Sequence, residues 1–191
     1  MLEIEYKFMT NEGLANKLLA QYNFSKNFSQ INTYYIDRND ILRKNHITVR
    51  IREKNNQVYF QIKYPAKNNI KHHSCSNLSV RNEYSEKCRF PLTSNFIQKK
   101  IEKITGLIIY DLYSPGQMIT ERYVCTDFRD IKIFLDVNSY LGIKDFEIEL
   151  ETSKKDNNKV AYLLSQLDKY KLNQHTSGKC TRFLQRYCSM K

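Results

Sequence analysis

The sequence predicts an α+β fold in which antiparallel strands close into a barrel and helices pack against its outside. Short segments of alternating apolar and polar residues recur along most of the chain, as is typical of antiparallel strands with one face in the core. The polar positions of these segments carry charges of both signs, which a sheet with one solvated face does not require. In a closed barrel these side chains would point inward and line a tunnel, and the apolar faces would need helices as a cover.

The composition is that of one globular domain, which we place at residues 1–191, with 41% hydrophobic residues. The formal net charge of +11 favours an anionic partner. We expect no membrane anchor or signal peptide, because no apolar segment is long enough and the N-terminus begins with acidic residues. The five cysteines form no C-x-x-C pair, so we expect reduced, buried thiols and a cytoplasmic protein.

The first predicted strand, Glu3-Ile4-Glu5-Tyr6-Lys7, carries its charged residues at every second position. On a strand these charges share one face. Two carboxylates at this spacing suit a shared Mg²⁺ or Mn²⁺, and Lys7 could hold an anion beside the cation. A charged solvent face of an edge strand would show the same alternation, so the other strands must decide between a metal site and a solvated face.

The remaining elements follow from the period of their apolar residues. A first helix follows the capping residues of segment 10–13 and extends to Tyr22, and a second helix begins at Pro91 and ends before Gly106. Further helices are predicted at 155–171 and 179–189. The other predicted strands are 29–37, 46–53, 57–64, 78–88, 117–126, 131–140 and 143–152. Asn55-Asn56 is predicted to join 46–53 and 57–64 into a hairpin, and 65–79 is predicted to be a loop.

The charged residues on one face of each strand form a set of both signs. They are Glu3, Glu5, Lys7, Arg50, Arg52, Lys63, Arg81, Glu83, Arg122, Asp136, Glu147 and Glu149. Neighbouring carboxylates disfavour each other's ionised form, so acids that meet in a tunnel need a neutralising partner. Divalent cations would neutralise them, and the tunnel's basic residues would then meet a polyanion bridged to those cations. A phosphate chain fits this description.

Several ordered motifs resemble, over nearly the whole chain, those of the CYTH proteins, or triphosphate tunnel metalloenzymes. They are Glu3 to Lys7, Tyr34-Tyr35-Ile36-Asp37, Val49-Arg50-Ile51-Arg52, Gln61-Ile62-Lys63, Arg81 to Glu86, Arg122, Leu135-Asp136 and Asp145 to Glu151. The chain is most similar to small single-domain bacterial members related to thiamine triphosphatase and inorganic tripolyphosphatase. The resemblance implies an eight-stranded tunnel and a two-metal hydrolase.

The resemblance also assigns roles by position. It implies metal ligation by Glu3, Glu5, Asp136, Glu147 and Glu149, and triphosphate binding by Lys7, Arg50, Arg52, Lys63, Arg81, Arg122, Lys179 and Arg182. Lys7, Arg52 and Glu149 are expected to act in catalysis. The long loop leaves the register of Arg81 and Glu83 open, and either Lys179 or Arg182 could be the C-terminal cation.

Some residues are expected to have no role at the site. Glu151 is expected to lie at the barrel rim without a ligand. The neighbouring His72, His73 and Cys75 lack a fourth ligand nearby in sequence, so we do not expect a zinc site.

The leading function is a metal-dependent triphosphatase, monomeric or homodimeric, with Mg²⁺ or Mn²⁺ as cofactor. We expect inorganic tripolyphosphate to be preferred over nucleoside or thiamine triphosphates, because the chain has no Trp to contact an organic group. One alternative is a class IV type adenylyl cyclase, although no adenine pocket is evident. Another is a polyphosphate or RNA-binding module, but paired carboxylates would repel a nucleic acid, so nucleic-acid binding is not expected.

Overall fold

The computed structural model describes residues 4–66, 81–89, 91–127, 131–152, 162, 165, 172 and 177–191. Eight strands have their bounds within these ranges: β1 (Ile4–Thr10), β2 (Phe24–Asp37), β3 (Thr48–Lys54), β4 (Gln57–Pro65), β5 (Arg81–Cys88), β6 (Leu112–Cys125), β7 (Lys132–Tyr140) and β8 (Ile143–Thr152). Four helices also have their bounds within these ranges: α1 (Glu12–Gln21), α2 (Ile41–Lys44), α3 (Ser94–Thr105) and α4 (Lys179–Ser189).

The strands form one eight-stranded antiparallel sheet in the order β1-β8-β7-β6-β2-β3-β4-β5. The predicted α+β class and the number of strands are therefore confirmed. Within the described ranges the order begins at β1 and ends at β5 without a pairing between these two strands, so closure into a barrel stays a prediction.

The chain divides into two compact units. The first unit contains Met1–Ser29 and Ile119–Lys191, and the second unit contains Gln30–Met118. Strands β2 and β6 contribute residues to both units. The single domain expected for residues 1–191 remains a prediction.

The core of the first unit lies on the apolar face of its strands. In β8, Ile148 and Leu150 are buried and pack with Leu135 of β7. Leu18 of α1 contacts the same cluster, and α1 begins at Asn11, whose side chain accepts a hydrogen bond from Leu14 N at 2.9 Å. Strand β8 is also buried on its charged face, so the acidic residues Glu147 and Glu149 of the candidate site are shielded from solvent.

The second unit is built on the predicted β3–β4 hairpin. Asn55 and Asn56 have φ angles of 51° and 58°, the left-handed conformation that a two-residue turn between antiparallel strands requires. The apolar face of the hairpin, including Ile51 and Phe60, packs with α3 through Ile101. This alternation leaves the arginines of β3 on the opposite face.

Several element boundaries differ from the sequence predictions. Strands β2 and β6 begin five residues earlier than predicted, in segments 24–28 and 112–116, whose apolar residues do not alternate with polar ones. Helix α3 does not begin at Pro91, because Thr93 caps it through a hydrogen bond from Phe96 N. The short α2 was not predicted, and Asp37 holds its first turn by accepting hydrogen bonds from backbone N–H groups.

Some predictions lie outside the described residues, namely most of helix 155–171, the loop from residue 67 onward, and His72, His73 and Cys75. Of the four described cysteines only Cys125 is buried, two are half-buried and Cys188 is exposed, so the expectation of burial is wrong for most of them. Among the helices with described residues, none is long and apolar enough to span a membrane.

Candidate functional site

Three buried acids of the first unit lie together on the charged face of β7 and β8. Asp136 pairs in register with Glu147, and Glu149 follows two residues later on the same face. We call these three residues the carboxylate cluster. Their exposed fractions are 0%, 1% and 2%, and each contributes a carboxylate oxygen to a group whose members all lie within 4.8 Å of one another.

Lys179, the first residue of α4, contacts every member of the carboxylate cluster. Its Nζ lies 2.8 Å from Asp136 Oδ2 and 2.6 Å from Glu149 Oε1, and it donates a further short hydrogen bond to Glu147. An ammonium group has three protons to donate, so a single side chain can serve three acceptors. The helix thus carries a cation to the point where the three acids converge.

Arg122 of β6 supplies a second cation to the carboxylate cluster. Its Nε and Nη2 atoms donate to the two oxygens of Asp136, each at 2.6 Å, and Nη2 also donates to Glu149. The guanidinium lies over the ring of Phe134, 4.4 Å from its centroid. Lys179 and Arg122 together thus contact all three acids of the carboxylate cluster.

Burial and mutual contact make the two glutamates of the cluster unequal. Burial and the hydrogen bond with Glu149 raise the pKa of Glu147 to about 6, although Lys179 opposes the change. Burial also disfavours ionisation of Glu149, but its hydrogen bond with Glu147 and the adjacent cations hold its pKa well below the usual range. Burial acts against the charge of Lys179, yet the surrounding carboxylates raise its pKa above the ordinary value.

The carboxylate cluster fits a divalent cation. Carboxylate oxygens are the ligands that Mg²⁺ and Mn²⁺ prefer, and three of them converge here within 4.8 Å of one another. A second group of acids lies on the neighbouring strand pair, where Glu5 pairs in register with Glu151 and their oxygens lie within 4.8 Å of Glu149. Glu149 belongs to both groups.

Two cationic residues connect this second group to the first. Lys7 Nζ lies 3.0 Å from Glu5 Oε1 and 3.6 Å from Glu149 Oε1. Arg122 Nη1 lies 3.8 Å from Glu151 Oε1. Glu151, which was expected to take no part, therefore lies beside the predicted ligands Glu5 and Glu149.

Arg182 anchors α4 to β8. Its Nε donates to Asp145 Oδ2 at 2.8 Å, and its Nη1 forms an ion pair with Glu147 Oε2 at 2.5 Å. Asp145 accepts two further hydrogen bonds, from Tyr140 Oη and Asn138 Nδ2. Of the two C-terminal cations that the sequence left open, Lys179 contacts all of the carboxylate cluster, whereas Arg182 is held mainly by Asp145.

A basic cluster lies in the second unit and consists of Arg50, Arg52 and Lys63. Arg50 Nε donates to Gln61 Oε1 at 2.8 Å, and Arg52 Nε donates to Asn32 Oδ1 at 2.9 Å. Buried amides thus fix the orientation of both guanidinium groups.

Glu83 of β5 contacts two members of the basic cluster. It lies 3.0 Å from Lys63 Nζ and 3.6 Å from Arg50 Nη2. The register that the long loop left open places Glu83 opposite Lys63.

A cavity of about 370 Å³ adjoins the basic cluster in the second unit. Its lining includes Arg52, Gln61, Lys54 and Tyr59. Tyr59 is therefore an aromatic residue beside the predicted phosphate ligand Arg52, with which it pairs in register.

Two predicted site residues cannot be placed fully. Glu3 lies outside the described residues, and Arg81 is placed only as a backbone position in β5, paired with Pro65. Asn32, Gln61 and Asp145 hold charged side chains in place, a role that was not predicted from the sequence. Their polar side chains at inward positions of predicted strands were the available signal, because buried polar groups need partners.

Comparisons with known proteins agree with this architecture. The family model described as CYTH domain matches residues 1–183. A candidate adenylate cyclase of Bacillus halodurans is similar in structure (TM-score 0.63, 23% identity, 95% of this chain and 97% of that chain). A candidate adenylyl cyclase of Hippeastrum with a dominant triphosphatase activity is also similar (TM-score 0.68, 19% identity, 96% of this chain and 96% of that chain). A protein of Pyrococcus horikoshii is similar as well (TM-score 0.57, 17% identity, 97% of this chain and 99% of that chain). At these identities the likeness concerns the fold. No curated protein sequence matches the chain significantly.

Proposed function

The chain belongs to the CYTH domain family, and from this membership we propose that it hydrolyses a triphosphate in a reaction that depends on a divalent cation. The observation that carries the proposal is the carboxylate cluster of Asp136, Glu147 and Glu149. Three buried acids would disfavour the folded state unless cations neutralise them. Lys179, Arg122 and Arg182 supply such cations from the protein, and the convergence of three carboxylate oxygens within 4.8 Å supports binding of a divalent cation.

Mg²⁺ or Mn²⁺ would be held by the carboxylate cluster and Glu5, with Glu3 as a further predicted ligand. When bound, the metal offsets phosphoryl charge and lowers the pKa of a coordinated water. Lys7 contacts both Glu5 and Glu149, so we propose that it keeps these carboxylates in place and donates to the substrate. No side-chain nucleophile is needed for this reaction.

The basic cluster would bind phosphoryl oxygens. Arg50 and Arg52 are each held at Nε by a buried amide, so their guanidinium planes are oriented before substrate binds. A guanidinium can donate to two phosphoryl oxygens at once, and preorganised donors stabilise charge that develops during phosphoryl transfer. We propose that Arg52 contributes in this way to catalysis and that Lys63 and Arg122 add positive charge.

Inorganic tripolyphosphate is the substrate that we propose. The cavity beside Arg52 has one aromatic residue, Tyr59, and the lysine of its lining, Lys54, adds a second cation. Two cations next to this ring disfavour the positively charged thiamine group. The side chains to which we assign roles would contact phosphate or metal, so organic triphosphates should be slower substrates.

A phosphate-release assay tests the proposal with tripolyphosphate, ATP, GTP and thiamine triphosphate, each with Mg²⁺ or Mn²⁺. We expect the highest kcat/KM for tripolyphosphate and loss of turnover with EDTA. Cyclic AMP is measured in the ATP reactions, because its formation would replace the hydrolase with a cyclase. Preference for thiamine triphosphate would refute the substrate assignment. Absence of metal-dependent turnover on every substrate would refute the proposed activity.

A further inference from the structure

Lys179 occupies the centre of the carboxylate cluster. Its side chain is only 14% exposed, and its ammonium contacts Asp136, Glu147 and Glu149 together. A single Nζ atom that contacts three converging carboxylates lies where a cation bound by the same three groups would lie. The ammonium and a divalent cation therefore need the same oxygens.

We propose that Lys179 is a built-in competitor of the divalent cation: it neutralises the carboxylate cluster in the metal-free protein and leaves it when a cation binds. The competition follows from the contacts of Lys179, and only the identity of the cation as Mg²⁺ or Mn²⁺ rests on the proposed function. Two positive ions cannot both contact the same oxygens closely without strong repulsion. Metal binding must therefore break the three contacts of Lys179, and the affinity for the metal is lowered by that cost.

The anchoring of α4 determines where the displaced ammonium can go. Arg182 lies three residues after Lys179 and is held by Asp145 through two hydrogen bonds, at 2.8 Å and 3.3 Å. Residues three apart lie on the same side of a helix. This anchor keeps Lys179 close to the cluster after its contacts break. The freed ammonium becomes a donor for a phosphoryl oxygen, so metal binding precedes its use in substrate binding.

The affinity for Mn²⁺ tests the competition directly and needs no substrate. We compare the wild type with Lys179→Met by isothermal titration calorimetry after removal of metal. The control is Lys26→Met, which removes the same charge from a lysine of the same unit that pairs with Glu121 instead of the cluster. We expect Lys179→Met to bind Mn²⁺ at least tenfold more tightly than the wild type, and Lys26→Met to stay within twofold. Equal or weaker binding by Lys179→Met would overturn the proposal.

A second measurement uses the wild-type protein, so it does not depend on the folding of a variant. Acetylation of lysines by acetic anhydride is followed by mass spectrometry with EDTA and with saturating Mn²⁺. We expect Lys179 to react several-fold faster with Mn²⁺, whereas Lys26 should not change. An unchanged or slower reaction of Lys179 would overturn the proposal. Neither measurement involves turnover, so a failure here is distinguishable from a failure of the proposed triphosphatase activity.

Discussion

Glu147→Gln should stabilise the metal-free protein at neutral pH even though it removes a proposed metal ligand. Glu147 faces Lys179 and Arg182 of α4, but it also faces the buried acids Asp136 and Glu149. The balance of burial and these neighbours raises the pKa of Glu147 to about 6. The ionised side chain is therefore less favourable in the folded protein than in the unfolded chain, and glutamine replaces it with a neutral group of the same shape.

The magnitude follows from the change in pKa. An increase from 4.5 to about 6 corresponds to roughly 2 kcal/mol of free energy of unfolding. Because the folded-state pKa is raised, this contribution is present below pH 4.5 and is lost as the pH rises through 6. At pH 7.5 the variant should be more stable by about 2 kcal/mol, which is roughly 4–8 °C in Tm for a chain of this size. At pH 4.5 the difference should vanish.

Urea denaturation in EDTA between pH 4.5 and 7.5 measures the difference between Glu147→Gln and the wild type. Glu121→Gln is the control, because Glu121 is an acid of the same unit whose side chain is 39% exposed and pairs with Lys26 outside the carboxylate cluster. Saturating Mn²⁺ should reverse the order of stability, since only the wild type keeps the full set of ligands. A stability difference that is independent of pH, or a variant less stable than the wild type at pH 7.5 in EDTA, would refute the reasoning.

The remaining predictions concern activity and the anchoring of α4. Glu5→Gln should remove more than nine tenths of turnover with an unchanged circular dichroism spectrum, and a smaller loss, worth less than about 1.4 kcal/mol in the barrier, would contradict metal ligation by Glu5. Arg52→Ala should raise KM for tripolyphosphate and lower kcat, and Arg52→Lys should bring both constants only part of the way back to the wild-type values. If neither variant changes KM or kcat, Arg52 does not contact the substrate. Asp145→Asn should lower the free energy of unfolding by up to about 3 kcal/mol, because it removes one of the two carboxylates that pair with the buried Arg182 and leaves only Glu147; an unchanged urea midpoint would show that Asp145 does not hold α4.

Much of the fold follows from local patterns that the sequence displays. In β8, Phe146, Ile148 and Leu150 alternate with acids, and this period of two sufficed to assign the strand and its two faces. The two asparagines of the β3–β4 turn marked the hairpin in the same way. The beginnings of β2 and β6 were missed because their first apolar residues, Phe24 and Leu112, are not followed by a regular alternation of apolar and polar residues.

The candidate site was predictable in its chemistry but not in its contacts. The alternation of charge along β8 predicted that Glu147 and Glu149 share a face. The sequence pattern of one strand does not predict which residues of other elements lie beside them. The register between β7 and β8, which brings Asp136 opposite Glu147, and the docking of α4, which brings Lys179 to the carboxylate cluster, depend on residues far apart in the chain. Such contacts are set by packing of whole elements and by the need of buried charges for partners, so only the tertiary structure could decide them.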